Sequence, residues 1–228
     1  MQRFILLLLT LFVYISVADA TQGSVFPITE FSSEELEQGI VNGWELKKGF
    51  CRKIKYRTKP SIMEIDNRKT LYANVNDSGV IALKPVKLPP LEYKFLKWEW
   101  KVSKILPNSI EKEKGADDYP ASICIVYGKT LFGMPYRYRA LIYVFGNNIQ
   151  KGERFANPCK KNARMIVVES GKENVNKWLN YKVNHYSDYI QEFGQEPGEI
   201  IYVGIQTNTD RTHEKIETWY ANIFLETE

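Results

Sequence analysis

The chain has 228 residues, of which 44% are hydrophobic and 25% are charged, and its formal net charge is +4 at neutral pH. This modest charge does not favour a nucleic-acid-binding protein. Abundant aromatic and β-branched residues, without a long helical pattern, favour an all-β domain over a helical one.

The N-terminus has the form of a secretory signal. Arg3 precedes an apolar stretch over residues 4–17, and Ala-Asp-Ala at residues 18–20 fits a cleavage site. The stretch is shorter than the roughly 20 apolar residues that a membrane span needs, and no other segment is long and apolar enough. We therefore predict a signal peptide over residues 1–20, a single domain over residues 21–228, and an exported protein, periplasmic or extracellular.

The chain has three cysteines, so at least one thiol is unpaired. Cys124 lies in an apolar run and is predicted to be a small buried residue. Cys51 and Cys159 lie in loop-like sequence and are the only pair that we consider for a disulfide. No two cysteines have the close spacing of a zinc site, and we expect no bound metal and no cofactor.

The first predicted elements are a short helix and a basic strand. Ser32 and Glu35 have the spacing of a capping box, and the helix is expected to end at Gly39. From Lys53 to Lys59, basic residues alternate with Ile, Tyr and Thr, which predicts a strand with one basic face. This face could bind an anionic glycan or the cell envelope. We favour an edge strand whose lysines prevent edge-to-edge pairing.

Three short β-type runs come next, at residues 61–66, 69–75 and 80–84. Pro85, with two later prolines, is expected to interrupt regular pairing. In residues 96–102, apolar residues that include Trp98 and Trp100 alternate with charged residues. This alternation predicts a strand with one face in the core.

Two central strands and a second helix are predicted in the second half of the chain. Residues 121–127 and 138–145 are apolar at both alternating positions, which is typical of strands covered on both faces. Arg137 and Arg139 are expected to share one face where the second of these strands begins. A short helix is predicted from Ser187 to Phe193, ending at Gly194.

The last predicted strand spans residues 216–225, and its alternation places Trp219 on the apolar face, in the core. In total the sequence contains about ten or eleven short β-type runs separated by turn residues. This pattern predicts an all-β, two-sheet antiparallel sandwich, jelly-roll-like, with one or two short helices.

Several segments resemble those of an uncharacterised family of bacterial secreted proteins. These segments are Trp98 and Trp100, Gly-Ala-Asp-Asp-Tyr-Pro-Ala at residues 115–121, Asn157-Pro158, residues 167–171, Trp178, Asp188-Tyr189, Phe193-Gly194 and residues 207–210. The resemblance covers nearly all of the chain after the signal peptide. It implies export and a β-sandwich similar to carbohydrate-binding jelly rolls, and it supplies no activity. The family pattern has arginine where this chain has Ser122, and aspartates where it has Asn208 and Asn222.

The adjacent carboxylates Asp117 and Asp118 are the polar cluster that stands out in the sequence. Two such neighbours either close a loop through hydrogen bonds to the backbone or present oxygens to a ligand. Acid–base catalysis would need a second carboxylate, from Asp188 or Asp210, because neighbours on an extended segment point apart. A calcium site formed by Asp117, Asp118, Asn157 and Asp210 is a weaker alternative, since no contiguous calcium-binding loop is present.

The sequence lacks the common motifs of hydrolases, kinases and dehydrogenases, and this favours binding over catalysis. We predict a monomeric, exported β-sandwich that binds a ligand, with a carbohydrate as the favoured ligand. The predicted ligand-binding residues are Asp117, Asp118, Tyr119, Arg137, Tyr138 and Arg139. Two alternatives stay open: an envelope polysaccharide hydrolase or lyase with Asp118 as acid or base, and a structural envelope protein without a small ligand.

Overall fold

A computed structural model describes residues 23–39, 41–47, 58–131 and 134–228 of the chain. The predicted signal peptide, Cys51 and residues 53–57 of the predicted basic strand lie outside these ranges.

Thirteen strands and two helices make up the described part of the chain. The strands are β1 (Val25–Pro27), β2 (Glu45–Leu46), β3 (Ser61–Ile65), β4 (Arg68–Asn76), β5 (Gly79–Leu88), β6 (Phe95–Val102), β7 (Ala121–Leu131), β8 (Met134–Gly146), β9 (Arg154–Ala156), β10 (Ala163–Ser170), β11 (Leu179–Asn184), β12 (Ile200–Asn208) and β13 (Lys215–Glu226). The helices are α1 (Ser33–Gln38) and α2 (His185–Phe193).

The strands form two sheets, which confirms the predicted jelly-roll-like sandwich. One sheet has the order β11-β6-β13-β4-β3, with β1 also paired to β13, and the other has the order β2-β5-β12-β7-β8-β10-β9. All the described pairs are antiparallel except β8 with β10. This parallel pair differs from the prediction. It forms because the connection through β9 returns the chain to the sheet in the same direction.

The main core lies between the two sheets. Trp98 and Trp100 are fully buried in it, as predicted, and their ring centroids are 5.5 Å apart. A second buried cluster, which includes Cys124 and Ile142, lies on the other face of the seven-stranded sheet. Because residues of β7 and β8 alternate between the two clusters, both strands are covered on both faces, as their sequences predicted.

Both predicted helices are present, and local capping determines where they begin and end. Ser32 and Glu35 form the capping box of α1 through bonds of 3.1 and 2.9 Å. Helix α2 begins at His185, two residues before the predicted start, because the side chain of Asn184 accepts a 2.9 Å bond from the Ser187 amide. Each helix ends at a glycine in the left-handed region, where a residue with a side chain would be strained.

Pro85 lies inside β5 opposite Tyr202, and the register of β5 with β12 shifts directly beside it, between Tyr202 and Ile200. Regular pairing is therefore interrupted here as expected, but the strand continues to Leu88. Proline cannot donate a hydrogen bond, so it fits a strand only where its nitrogen needs no acceptor. The neighbouring strand β2 pairs only with Ala82 and Leu83, and the flank of β5 at Pro85 has no partner among the described strands.

The prediction that Trp219 lies in the core is wrong. A bulge between Ala221 and Phe224, with Asn222 at φ 49°, interrupts the pairing of β13 with β6. The extra residue reverses the alternation, so residues on either side of the bulge cannot be assigned to one face by counting in twos. Tyr220 is buried instead, and Trp219 stacks on Tyr72 of β4 with ring centroids 5.5 Å apart.

The cysteines agree with the sequence where they are described. Cys124 is buried and free, and burial raises the pKa of its thiol to about 12, so it is unreactive near neutral pH. Cys159 is disulfide-bonded. Cys51, its expected partner, lies outside the described residues. In the described ranges, the chain contains no helix with the length and hydrophobicity of a membrane span.

Candidate functional site

The predicted ligand-binding residues fall into two groups at opposite ends of β7. The segment from Asp117 to Tyr119 directly precedes Ala121, the first residue of β7, whereas Arg139 pairs with Tyr127 towards its other end. The distance from Ala121 to Tyr127 along the strand is about 20 Å, at about 3.3 Å per residue. The structure therefore does not bring the two groups together in one site.

Asp118 is fully buried, and its carboxylate is surrounded by donors from one loop. Its Oδ2 accepts bonds from the Arg211 amide at 2.9 Å, the Thr212 amide at 2.7 Å and the Thr212 hydroxyl at 3.0 Å. Its Oδ1 accepts a 2.5 Å bond from the Asn208 side-chain amide. Burial raises the pKa of Asp118, and the hydrogen bonds act against this rise. This carboxylate joins the start of β7 to the loop after β12.

The neighbours of Asp118 differ in burial. Asp117 is half-buried and accepts a 3.2 Å bond from the Gly115 amide, and burial raises the pKa of its carboxyl to about 6. Tyr119 is fully buried, and its hydroxyl donates a 2.9 Å bond to the carbonyl of Glu111. The ring of Tyr119 therefore presents no open face on which a ligand could stack.

The carboxylates considered as partners of Asp118 are also bound within the protein. Asp188, on α2, accepts bonds from the hydroxyl of Tyr143 at 2.8 Å and the guanidinium of Arg154 at 2.6 Å. Asp210 lies close enough to Asp118 to raise its pKa, and its Oδ2 is 3.6 Å from Nε of Arg211.

The calcium alternative receives no support from the described geometry. The side-chain oxygen of Asn157 accepts bonds from the amides of Cys159 and Lys160, both at 2.9 Å. Asn157 bonds to Ala163 at the start of β10, and Ala163 pairs with Ala140 of β8. The aspartates lie farther along β8, near Phe145, which pairs with Ala121. Among the described residues, no three acidic, histidine or cysteine side chains are grouped as metal ligands.

A cavity of about 850 Å³ lies at the other end of β7, around the second group of predicted residues. Its volume falls in the range of about 300–1,000 Å³ that is usual for small-molecule sites. The tyrosines that line it are Tyr127, Tyr136, Tyr138 and Tyr189. The lining residues with charged or amide side chains are Lys129, Arg137, Arg139, Asn162, Gln195 and Glu199.

A bulge between β7 and β8 shapes this cavity. Pairing shifts between Tyr127 and Lys129, and Arg137 adopts a left-handed conformation with φ 48°. Gly128 has φ 150°, and a Cβ there would lie 3.0 Å from Cα of Tyr138. The two strands can approach so closely only because Gly128 has no side chain. The bulge ends the strict alternation expected for Arg137 and Arg139, and residues 136–139 all line the cavity.

Arg139 is held by an aromatic ring beside the cavity. Its guanidinium carbon lies 5.0 Å from the centre of the Phe193 ring, and so does that of Arg164. The Nη1 atom of Arg139 is buried and has no hydrogen-bond acceptor in the described part of the protein. Arg164, by contrast, donates to two carbonyls and has Glu192 at 3.6 Å.

A buried histidine supports the tyrosines at the back of the cavity. The Tyr127 ring packs edge-on against Tyr189 with centroids 4.6 Å apart, and its hydroxyl is 2.9 Å from Nδ1 of His185. His185 is fully buried, and this burial lowers the pKa of its imidazole to about 3. His185 is therefore neutral at all pH values at which the protein is expected to work.

Stability should fall on acidification because His185 stays neutral in the folded protein. Below pH 6.5 the unfolded chain binds a proton at His185 that the folded chain does not, and this difference persists until about pH 3. Between pH 7 and pH 5 this should remove about 2 kcal/mol from the free energy of unfolding. In His185→Phe, the free energy of unfolding measured by urea titration should lack this part of its dependence on pH.

Asp117 acts in the opposite direction, because its raised pKa favours the folded state as pH falls from about 6 towards 3.8. The test is therefore the difference in slope between the native protein and His185→Phe, which share Asp117. Equal slopes for the two proteins would contradict a neutral, buried His185.

Sequence reasoning did not identify Lys129, Asn162, Gln195 and Glu199 as cavity residues. They come from three separate segments, and only the folded chain brings these together. Two glycines, Gly128 and Gly198, were the features of the sequence that could have indicated this cavity. Gly128 interrupts an apolar strand, which often marks a bulge or a close backbone approach. Gly198 packs beside Gly128, where a Cβ on Gly198 would be in ordinary contact with Cα of Gly128, at 3.6 Å.

The model of the family described as "Protein of unknown function (DUF3047)" matches residues 42–224. The chain belongs to this family. This agrees with the expected membership of a family without an assigned activity. No curated protein matches this chain.

Several solved structures are similar to this DUF3047 chain over most of its length. One is the family 11 carbohydrate-binding module of the cellulosomal cellulase Lic26A-Cel5E of Clostridium thermocellum, with 11% identity, a TM-score of 0.41, and coverage of 89% of this chain and 94% of that chain. Another is the endoglucanase cel12A from Rhodothermus marinus, with 8% identity, a TM-score of 0.48, and coverage of 84% and 94%. A family 12 xyloglucanase from Bacillus licheniformis shows 7% identity, a TM-score of 0.42, and coverage of 90% and 99%. All three TM-scores are below 0.5, and nothing about the activity of this chain follows from them.

Proposed function

We propose that this protein is an exported, monomeric binding protein for glycans and that its binding site is the cavity beside Gly128. The observation that carries the proposal is the composition of the cavity wall, which combines tyrosine rings with hydrogen-bonding side chains. Sugar rings have apolar faces that pack on aromatic rings, and their hydroxyl groups bond to amide and charged side chains. Tyr136 is 45% exposed, so its ring is accessible to a ligand.

The geometry at the Asp pair gives it a different role. Asp118 is fully buried and both of its oxygens accept bonds from the protein, so its carboxylate is not accessible for exchanging a proton with a substrate. We therefore assign Asp118 to the closure of the loop after β12. Arg137, Tyr138 and Arg139 remain as proposed ligand contacts, and neither alternative function gains support from a described site.

The proposal is tested by thermal melting of the purified protein with a panel of bacterial and plant glycans. A ligand at about 100 times its Kd should stabilise the protein by about 2.7 kcal/mol, or about 5–10 °C in Tm. Tyr136→Ala should weaken binding of that glycan about tenfold, since an aromatic contact contributes roughly 1.4 kcal/mol.

Asp117→Ala is the control, because it changes the other end of β7 and should leave the affinity unchanged. If Asp117→Ala abolished binding in a folded protein while Tyr136→Ala did not, the site would lie at the Asp pair and not in the cavity. If no glycan changed the Tm, glycan binding would be rejected for the panel tested.

A further inference from the structure

We propose that the cavity selects acidic glycans, in which carboxylate or sulfate groups are recognised by Arg137, Arg139 and Lys129. This inference rests on the proposed function and narrows its ligand class. Three cationic side chains line the cavity, against one carboxylate, from Glu199. Such an excess of one sign in a concave site attracts ligands of the opposite sign.

These cations have no ion-pair partner among the described residues. In the part of the chain that the structure describes, the ion pairs involve other lysines and arginines, and Lys129, Arg137 and Arg139 take part in none of them. Elsewhere on the surface, most partly exposed arginines have carboxylate partners; Arg68, for example, has Glu99 at 2.6 Å. Three cations without such partners around one cavity are therefore available to a ligand.

Arg139 gives the strongest indication. Its Nη1 is buried without an acceptor, and an unsatisfied donor of this kind is costly. An anionic oxygen in the cavity would supply the missing acceptor.

The chemistry of arginine also distinguishes acidic from neutral sugars. A guanidinium has only donors, and its planar fork matches the two oxygens of a carboxylate. A sugar hydroxyl uses its proton as well as its lone pairs; among the described lining residues, acceptors for that proton are Glu199, Asn162, Gln195 and the tyrosine hydroxyls, and the three cationic side chains offer none. The wall therefore offers more to an acidic glycan than to a neutral one of equal size.

The test uses pairs of ligands that differ only in charge. The full-length purified protein is titrated calorimetrically with short oligogalacturonates, and with the same oligomers after reduction of their carboxylates to neutral hydroxymethyl groups. Dextran sulfate and dextran form the second pair, which separates sulfate from carboxylate recognition. We expect the acidic member of at least one pair to bind at least about tenfold more tightly, and its affinity to fall as salt is raised from about 50 to about 200 mM.

Variants test whether the cavity arginines cause the preference for the acidic ligand. Arg137→Gln and Arg139→Gln should each weaken binding of the acidic ligand about tenfold or more and reduce its salt dependence. Lys215→Gln removes the same charge at the start of β13, outside the cavity, and should change neither. Circular dichroism and Tm values for each variant confirm that it is folded.

The possible failures are distinguishable. If neutral and acidic members bind equally, and Tyr136→Ala but not Arg137→Gln weakens them, the acidic selectivity is overturned and the proposed function stands. If no member of either pair binds and the wider panel is also negative, both are overturned. If Lys215→Gln weakens binding as much as Arg137→Gln, the effect comes from general surface charge and the cavity assignment is overturned.

Discussion

Asp118→Ala is expected to lower the free energy of unfolding by about 3 kcal/mol, or about 6–12 °C in Tm. The substitution leaves the Arg211 and Thr212 amides, the Thr212 hydroxyl and the Asn208 side-chain amide without their acceptor. Each buried group that loses its partner costs about 1–3 kcal/mol. The sum is reduced because the variant no longer buries a carboxylate, whose raised pKa reflects its desolvation.

A graded series of variants makes this prediction sharper. Asp118→Asn keeps one accepting oxygen and should be intermediate in stability, because its amide faces donors that it cannot satisfy. Thr212→Val removes a single bond and should cost about 1 kcal/mol, while Thr212→Ser keeps the hydroxyl and should cost less. Urea unfolding of each variant measures the series. A stable Asp118→Ala protein that had lost its glycan affinity would contradict the structural role and restore Asp118 as a site residue.

Gly204→Ala is the second substitution with a large expected effect, because β12 has no room for a side chain at this position. A Cβ there would lie 2.4 Å from the carbonyl oxygen of Ala82 and 2.4 Å from Cδ2 of Leu83. The first of these atoms belongs to the backbone of the paired strand β5, so the sheet itself must move. We expect a loss of about 3 kcal/mol, at the upper end of the usual cost of overpacking.

Gly198→Ala is the matched control, since its nearest contact would be 3.6 Å and its backbone is not in the left-handed region. It should change stability by less than about 0.5 kcal/mol. Equal unfolding midpoints in urea for the two alanine variants would show that β5 and β12 are farther apart than the structure places them. If Gly204→Ala does not accumulate as folded protein in buffer, its unfolding is measured in a stabilising osmolyte, with Gly198→Ala under the same conditions.

Local patterns were sufficient to predict much of the fold. The alternation in β6 placed Trp98 and Trp100 in the core, and the all-apolar runs of β7 and β8 predicted central strands. The residues that cap α1 also act on their own helix, so they could be recognised without knowledge of the fold. In each case the interaction that decides the structure lies within a few residues.

The positions that were predicted wrongly depend on features that cannot be deduced from the alternation of apolar and polar residues. One inserted residue in β13 moved Trp219 out of the core, and the bulge at Gly128 changed the order of side chains around Arg137. The donors that surround Asp118 come from a loop about ninety positions later in the chain. Sequence neighbours could show that a carboxylate needs a partner, but not that the partner is this loop.

The position of the last two strands has a consequence for how the protein folds. β12 lies between β5 and β7 in one sheet, and β13 lies between β4 and β6 in the other. The central ladders of both sheets are therefore closed by the C-terminal end of the chain. Pairing between strands so far apart in sequence is slow, because the intervening chain must first be ordered.

A growing chain cannot complete either sheet until β12 and β13 have been made. Until then, β4, β5, β6 and β7 each lack one of their neighbours, so both sheets stay incomplete until β13 has been made. An open chain can thread through a narrow channel, whereas a closed sandwich cannot. For the proposed export, this order of strands would keep the polypeptide able to cross a membrane unfolded until β13 has been made.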